Sequence, residues 1–206
     1  MSRVVLASGN VGKLREFGAM LAPFGWTVVP QGELGIEEAA EPHETFVENA
    51  LAKARHASRL SGLSALADDS GLCVDVLAGA PGVRSARYAG RAADDQANNL
   101  KLVADLQAAA ATPSTWSAEF VCVLVMVRHA HDPLPMIAQG RWRGRIVAQP
   151  AGDAGFGYDP HFLLPELAQT AAQLPAEHKN RISHRAQALA QLRMQIEARA
   201  CEVTQA

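Results

Sequence analysis

The chain has 206 residues, 49% hydrophobic and 19% charged, which suits one sizeable domain or one domain with a small lobe. Nineteen lysines and arginines against 21 acids give a net charge of -2; that argues against gripping a nucleic-acid backbone, yet permits a small polyanion in a local basic pocket. Cys73, Cys122 and Cys201 form no CxxC pair, so neither a zinc site nor a disulfide framework is suggested. No apolar run approaches the roughly 20 residues of a membrane span, and a cytoplasmic protein with no membrane or nucleic-acid partner is expected.

Val4-Val5-Leu6-Ala7 reads as a short buried strand. Ser8-Gly9-Asn10-Val11-Gly12-Lys13 then makes a strand-to-helix turn. Two glycines let backbone approach a ligand, the helix N-terminus supplies N–H groups, and Lys13 adds a positive charge. Phosphate binding needs these features, although Leu14 after the lysine rules out a GxxxxGK[ST] loop. Leu14, Phe17 and Leu21 mark the helix, and Pro23 to Gly25 end it. Trp26 to Val29 is a second strand, and Gln31 to Pro42 an acidic loop containing Glu37, Glu38 and Glu41. Thr45 with Glu48 three residues on predicts a capping box for a helix lined by Val47, Ala50, Leu51, Ala54 and Ser58, stopped by Gly62. Lys53, one turn beyond Asn49, matters if its face borders phosphates.

Ser64 to Ala67 is a third strand, with Asp68-Asp69-Ser70-Gly71 leaving its C-terminal end, where ligands of open α/β sheets bind. Adjacent strand residues point to opposite faces, so one of the two aspartates projects into the site. Acids placed there bind Mg²⁺ and orient or deprotonate water. The β-α-β-α-β order predicts a parallel twisted sheet. Gly79 to Gly90 is a loop, Asp94 to Ala111 a helix, Phe120 to Val127 a central strand apolar on both faces, and Met136 to Val147 its hairpin partner.

Gln149 to Pro165 is a Gly-rich loop containing Gly155-Phe156-Gly157-Tyr158-Asp159-Pro160. Its glycines free the Phe156 ring to stack on a flat base, and the proline holds Asp159 extended. Lys179-Asn180-Arg181-Ile182-Ser183-His184-Arg185 places three cations and a histidine around the N-terminus of a last helix, which Ser183 caps and Leu189, Leu192 and Ile196 line. Cations oppose the dipole there, which points to an anionic or carbonyl-bearing ligand. Phosphate cradle, metal carboxylate, stacking ring and base-edge donors together imply a nucleotide. A γ-phosphate-cleaving enzyme and a nucleotide sensor without turnover remain open beside pyrophosphate release.

In this order, SGNVGK, TFVENALAKA, ADDSGLCVDVLAGAPGVRSARYAG, GDAGFGYDP and KNRISHRAQAL closely resemble the inosine/xanthosine triphosphate pyrophosphatases, along nearly the whole chain. The resemblance implies a mixed α/β sheet with flanking helices in a single domain, elongated and two-lobed with a central cleft, and a homodimer. It further implies Mg²⁺-dependent hydrolysis of ITP, dITP and XTP to the monophosphate and pyrophosphate. Ser8, Gly9, Asn10, Val11, Gly12 and Lys13 would hold the triphosphate with help from Lys53. Asp69 would be the proton acceptor and a metal carboxylate and Glu41 the second acid, a place for which Glu37 and Glu38 compete, with Ser70 beside them. Phe156, Gly157, Tyr158 and Asp159 would form the base pocket, and Lys179, His184 and Arg185 would read the base edge. No role follows for His161 or His178.

Overall fold

The computed structural model describes residues 3–21, 26–90, 94–109, 112 and 116–205. The expected stop at Pro23 to Gly25 and the end of the expected helix at Ala110 and Ala111 lie outside them. Strands β1 (Arg3–Ala7), β2 (Thr27–Pro30), β3 (Ser64–Val74), β4 (Ser117–Val127), β5 (Met136–Ile146), β6 (Phe162–Leu164) and β7 (Gln169–Thr170) form one sheet in the order β2-β1-β3-β4-β5-β6-β7. β1 runs parallel to β2 and β3, with Leu6 opposite Pro30 and Leu66. Helices α1 (Val11–Leu21) and α2 (Phe46–Ser61) make the crossovers that parallel pairing demands. β6 is antiparallel to β5 and β7, so the sheet is mixed, as expected.

β3 corrects one expectation. Asp68, Asp69, Ser70 and Gly71 do not leave the strand; they lie inside it, because β3 continues to Val74 beside an equally long β4. A partner that satisfies the backbone overrides the turn preference of Asp-Asp-Ser-Gly. Three loops also carry unforeseen structure, and Gln31 to Pro42 opens on a 3₁₀ helix at Gln31–Leu34. Gly79 to Gly90 contains a 3₁₀ helix at Gly82–Arg87, and Gln149 to Pro165 contains a 3₁₀ turn at Asp159–His161 followed by β6. Helices α3 (Asp95–Ala108), α4 (Ala176–Ile182) and α5 (His184–Gln205), with 3₁₀ turns at Asp75–Leu77 and Ala171–Gln173, complete the element order.

The chain divides into two compact units, and β3, β4 and β5 contribute residues to each. Unit 1 comprises Met1–Asp69, Cys122–Gly140 and Arg185–Ala206. Its core joins Val4, Leu6 and Leu66 of the sheet to Phe17 and Leu21 of α1 and to Leu189 and Leu192 of α5. The start of α2 is capped by Thr45, whose Oγ1 accepts the Glu48 N–H (3.4 Å) while the Glu48 carboxylate accepts the Thr45 hydroxyl (2.5 Å). α5 also serves β5. Gln191 accepts the Gln139 N–H (2.5 Å), Gln195 donates to the Ile137 carbonyl (2.7 Å), and Arg199 donates to the Leu134 carbonyl (3.2 Å). These three residues recur every four positions, one stripe of the helix. Gln139 and Ile137 precede Arg145 and Ile146, the β5 residues in register with β6, and Leu134 lies just before β5.

Unit 2 comprises Ser70–Val121 and Arg141–His184. Leu72, Val74, Leu102, Leu106, Trp116, Phe120, Trp142 and Phe162 fill its core, with the Phe120 and Phe162 rings 4.5 Å apart. α3 begins at Asp94, whose carboxylate accepts the Ala97 N–H (2.8 Å). His161, unassigned from sequence, is a clasp: its Nδ1 donates to the Val147 carbonyl (2.7 Å), and its own carbonyl accepts the Val147 N–H (2.9 Å).

Candidate functional site

In unit 1 the turn after β1 is organised by side chains. Ser8 Oγ accepts the Asn10 N–H (3.3 Å), and Asn10 Oδ1 accepts the Lys13 N–H (3.0 Å), which makes Asn10 the N-cap of α1. A Cβ on Gly9 would stand 2.0 Å from Oε1 of Glu38, so the acidic loop reaches this turn and a side chain there would displace it. Lys13 points back onto Asp68, Nζ to Oδ2 3.0 Å, in a pair whose carboxylate is fully buried.

The neighbouring aspartate has different partners, as alternation along a strand requires. Asp69 Oδ2 accepts from Asn49 Nδ2 (3.1 Å) and Oδ1 from Lys53 Nζ (3.3 Å). Lys53 also bonds Oε1 of Glu41 (2.5 Å), so one ammonium bridges two carboxylates. Of the three competing acids, Glu41 alone carries this contact: the Glu38 carboxylate lies over Gly9, and Glu37 offers its backbone carbonyl to His56. Burial raises the Asp69 pKa and Glu41 adds to the rise, against the opposing charge of Lys53. Burial acts the same way on Asp68, but Lys13, Arg185 and Lys53 outweigh it and hold that carboxyl at about 2. Two adjacent aspartates are thus driven apart: Asp68 is fixed as an anion and Asp69 is made the better base.

In unit 2 the Phe156 segment is a tied loop. Oδ2 of Asp159 accepts the Phe156 N–H (2.9 Å) and one proton of Lys179 Nζ (2.7 Å). The same ammonium lies 5.2 Å from the Phe156 ring centroid, within cation–π range. Gly155 sits at φ +80°, and a Cβ there would fall 2.1 Å from Asp159 Oδ2, so only glycine permits this closure. Asp159 is not extended as the following proline predicts; it opens a 3₁₀ turn, because its carboxylate is drawn back to the Phe156 N–H. The Tyr158 hydroxyl donates to the Ser85 carbonyl (2.7 Å). His184 stacks on Phe120 with centroids 4.9 Å apart and planes 15° from parallel.

The expected residues therefore fall into two sets. Lys13, Lys53, Glu41, Asp69 and Arg185 belong to unit 1; Ser70, Phe156, Gly157, Tyr158, Asp159, Lys179 and His184 belong to unit 2. Lys179 is not at the start of the last helix but inside α4, a seven-residue helix too short to show an apolar period. Arg185 acts on the charge of Asp68. Sequence reasoning missed Asn49, fully buried, which holds Asp69 and both backbone polar groups of His43. It also missed Asp95 and Asn99, which grip the Phe156 loop. A buried asparagine on a helix face leaves no periodic signal; only its partners reveal it.

The profile of the Ham1 family matches residues 4–195. The chain belongs to the Ham1 family. A dITP/XTP pyrophosphatase of Ralstonia nicotianae is 64% identical over 195 residues, 93% of this chain and 95% of that protein. One from Bordetella parapertussis is 65% identical over 195 residues, covering 93% and 90% of the two chains. Among solved structures, a HAM1 protein from Coxiella burnetii superposes on this Ham1-family chain with a TM-score of 0.89 at 45% identity, covering 96% of this chain and 100% of that one. The Ham1 protein of Staphylococcus aureus gives 0.83 at 37% identity, with coverage of 96% and 100%. The relationship read from the five motifs is borne out. No helix among the described residues is long and apolar enough to cross a membrane.

Proposed function

We propose that this chain hydrolyses non-canonical purine nucleoside triphosphates (ITP, dITP and XTP) to the nucleoside monophosphate and pyrophosphate, clearing them from the nucleotide pool. The observation that carries the reading is the divergence of the paired aspartates: an Asp68 ion-paired with Lys13 and held ionised well below neutral pH, and a more basic Asp69 beside Lys53 and Glu41. Asp69 orients and deprotonates the water that attacks the α-phosphorus. The turn Ser8, Gly9, Asn10, Val11, Gly12 and Lys13, with Lys53, takes the triphosphate. Phe156 stacks on the base, Gly157, Tyr158 and Asp159 line its pocket, and Lys179, His184 and Arg185 supply donors. The relatives named dITP/XTP pyrophosphatase, at 64%, 65% and 58% identity, support the substrate class. A cytoplasmic homodimer belongs to the same reading.

A divalent cation fits the donors present. Glu41 and Asp69 already converge on one positive charge, the Lys53 ammonium. Among the described residues no three His, Cys, Asp or Glu side chains gather into a metal cage, and Mg²⁺ commonly takes one or two carboxylates plus phosphate oxygens and water. Asp69 and Glu41 would hold it. When bound, Mg²⁺ neutralises charge on the phosphates.

Incubation with ITP and Mg²⁺ is expected to release pyrophosphate as first product, and excess chelator to abolish turnover. Orthophosphate would move cleavage to the γ position; binding without product would leave a sensor; turnover unaffected by chelator would remove the metal.

Selectivity follows from the purine 6-position, an acceptor in hypoxanthine and xanthine and a donor in adenine. Lys179 can only donate, and its ammonium is held beside the Phe156 ring by Asp159. Each unsatisfied polar group costs about 1–3 kcal/mol, and setting the adenine amino group against the Lys179 ammonium leaves both unsatisfied, which rejects ATP by roughly 10²–10⁴-fold. Lys179→Met combined with Asp159→Asn removes the buried pair together. This variant is expected to lose far more kcat/KM on ITP and XTP than on ATP. An equal loss on all would assign Lys179 to phosphates or to structure.

A further inference from the structure

We propose that Asp95 and Asn99, on the first turns of α3, are positioning residues for base recognition that act through the backbone of the Phe156 loop. The inference rests on the stacking role proposed above for Phe156. Phe156 is flanked by glycines at φ +80° and +64°, the residue type with most backbone freedom to lose. A stacking ring on such a hinge would sample many directions, and ordering it on binding would weaken affinity.

The structure removes that freedom at both adjoining peptide groups. On one side the Phe156 N–H is bonded to Asp159 Oδ2 (2.9 Å). On the other, the Gly157 N–H is bonded to Asp95 Oδ2 (2.6 Å). Asn99 Nδ2 then takes the Gly157 carbonyl (2.9 Å), so both backbone polar groups of Gly157 are held by one helix. The same Nδ2 donates to the Asp95 carbonyl (2.8 Å), which joins the two grips. With the planes before and after its Cα fixed, Phe156 keeps only its side-chain torsions.

The helix does the same for a second loop. Asn98 accepts the Ala89 N–H (2.8 Å) and donates to the Ala86 carbonyl (3.2 Å), and Ser85 of that segment receives the Tyr158 hydroxyl. Asp95 is exposed and outside the core, so replacing it tests the grip without emptying a packed position.

The experiment compares Asp95→Ala, Asp95→Asn, Asn99→Asp, Phe156→Ala and Asp95→Ala combined with Phe156→Ala. It measures KM and kcat for ITP, the inhibition constant of inorganic tripolyphosphate, which has no base, and melting temperature. Asp95→Ala and Asn99→Asp are each expected to raise KM for ITP about tenfold, the scale of one hydrogen bond, with kcat within about twofold. Tripolyphosphate inhibition and melting temperature stay at wild-type values for Asp95→Ala. Asp95→Asn, which keeps an acceptor for the Gly157 N–H, restores KM. In the Phe156→Ala background Asp95→Ala adds less than about twofold, because its effect travels through the missing ring. An unchanged KM, a parallel rise in the tripolyphosphate constant, or the full tenfold effect without the ring overturns the proposal. If Phe156→Ala alone leaves KM for ITP unchanged, the stacking role fails on its own arm and the positioning role falls with it.

Discussion

Asp69→Asn is expected to lower kcat on ITP by roughly 10²–10⁴-fold, the usual cost of removing a general base. The change is nearly isosteric and removes the only one of the two aspartates whose pKa is raised. Folding survives because Lys53 keeps Glu41, 2.5 Å away, as its counter-charge. Asn49 still binds both backbone groups of His43, so the loop carrying Glu41 stays tied. Kinetics with ITP at saturating Mg²⁺, beside a melting curve, check this. Wild-type turnover would exclude Asp69 from the chemistry, whereas lost turnover in a stably folded variant assigns it.

Asp68→Asn is expected to act on stability first. Its carboxylate is fully buried against Lys13 and is held ionised by Lys13, Arg185 and Lys53 against the opposing effect of burial. Removing one partner of a buried charge set strands the others and costs about 3–5 kcal/mol. In a chain of this size that lowers the melting temperature by about 10 °C. The wild type carries the corresponding pH signature. Folding moves this pKa from 3.8 down to about 2, so the charged pair stabilises fully above the unfolded value and loses its contribution as pH falls between them. That contribution is about 2 kcal/mol. Chemical denaturation with chelator present, at pH values across this window, is expected to show a steep loss for the wild type and a flatter profile for Asp68→Asn. Parallel profiles would remove Asp68 as the titrating group. Added tripolyphosphate is expected to recover part of the variant's stability by supplying the missing negative charge.

Sequence reading reached the parallel half of the sheet because strand, helix and strand alternate there with clear periods and caps: Thr45 and Gly62 bracket α2 as expected. It misjudged Asp68 to Gly71 because local turn chemistry is visible in a sequence and a long neighbouring strand is not. Lys53, Glu41 and Asp69 were recoverable as residues, yet that one lysine bridges both acids depends on contacts between positions 12 and 16 residues apart. Asp68 drew attention only as the twin of Asp69. Its separate pairing with Lys13 is what makes the two chemically unlike. The tie between α3 and Gly157 spans about 60 residues and was invisible for the same reason.

The stripe of Gln191, Gln195 and Arg199 bears on how the protein behaves in a crowded solution. A bare stretch of strand is an invitation for another chain to zip onto it and seed insoluble assemblies. Here the Gln139 N–H and the Ile137 carbonyl of β5, with the Leu134 carbonyl just before it, are already occupied by side chains of α5. An intruding strand must evict three partners that sit on one helix and leave together. The safeguard is consequently only as durable as the docking of α5, and fraying of that helix would expose the sticky edge before the rest of the molecule unfolds.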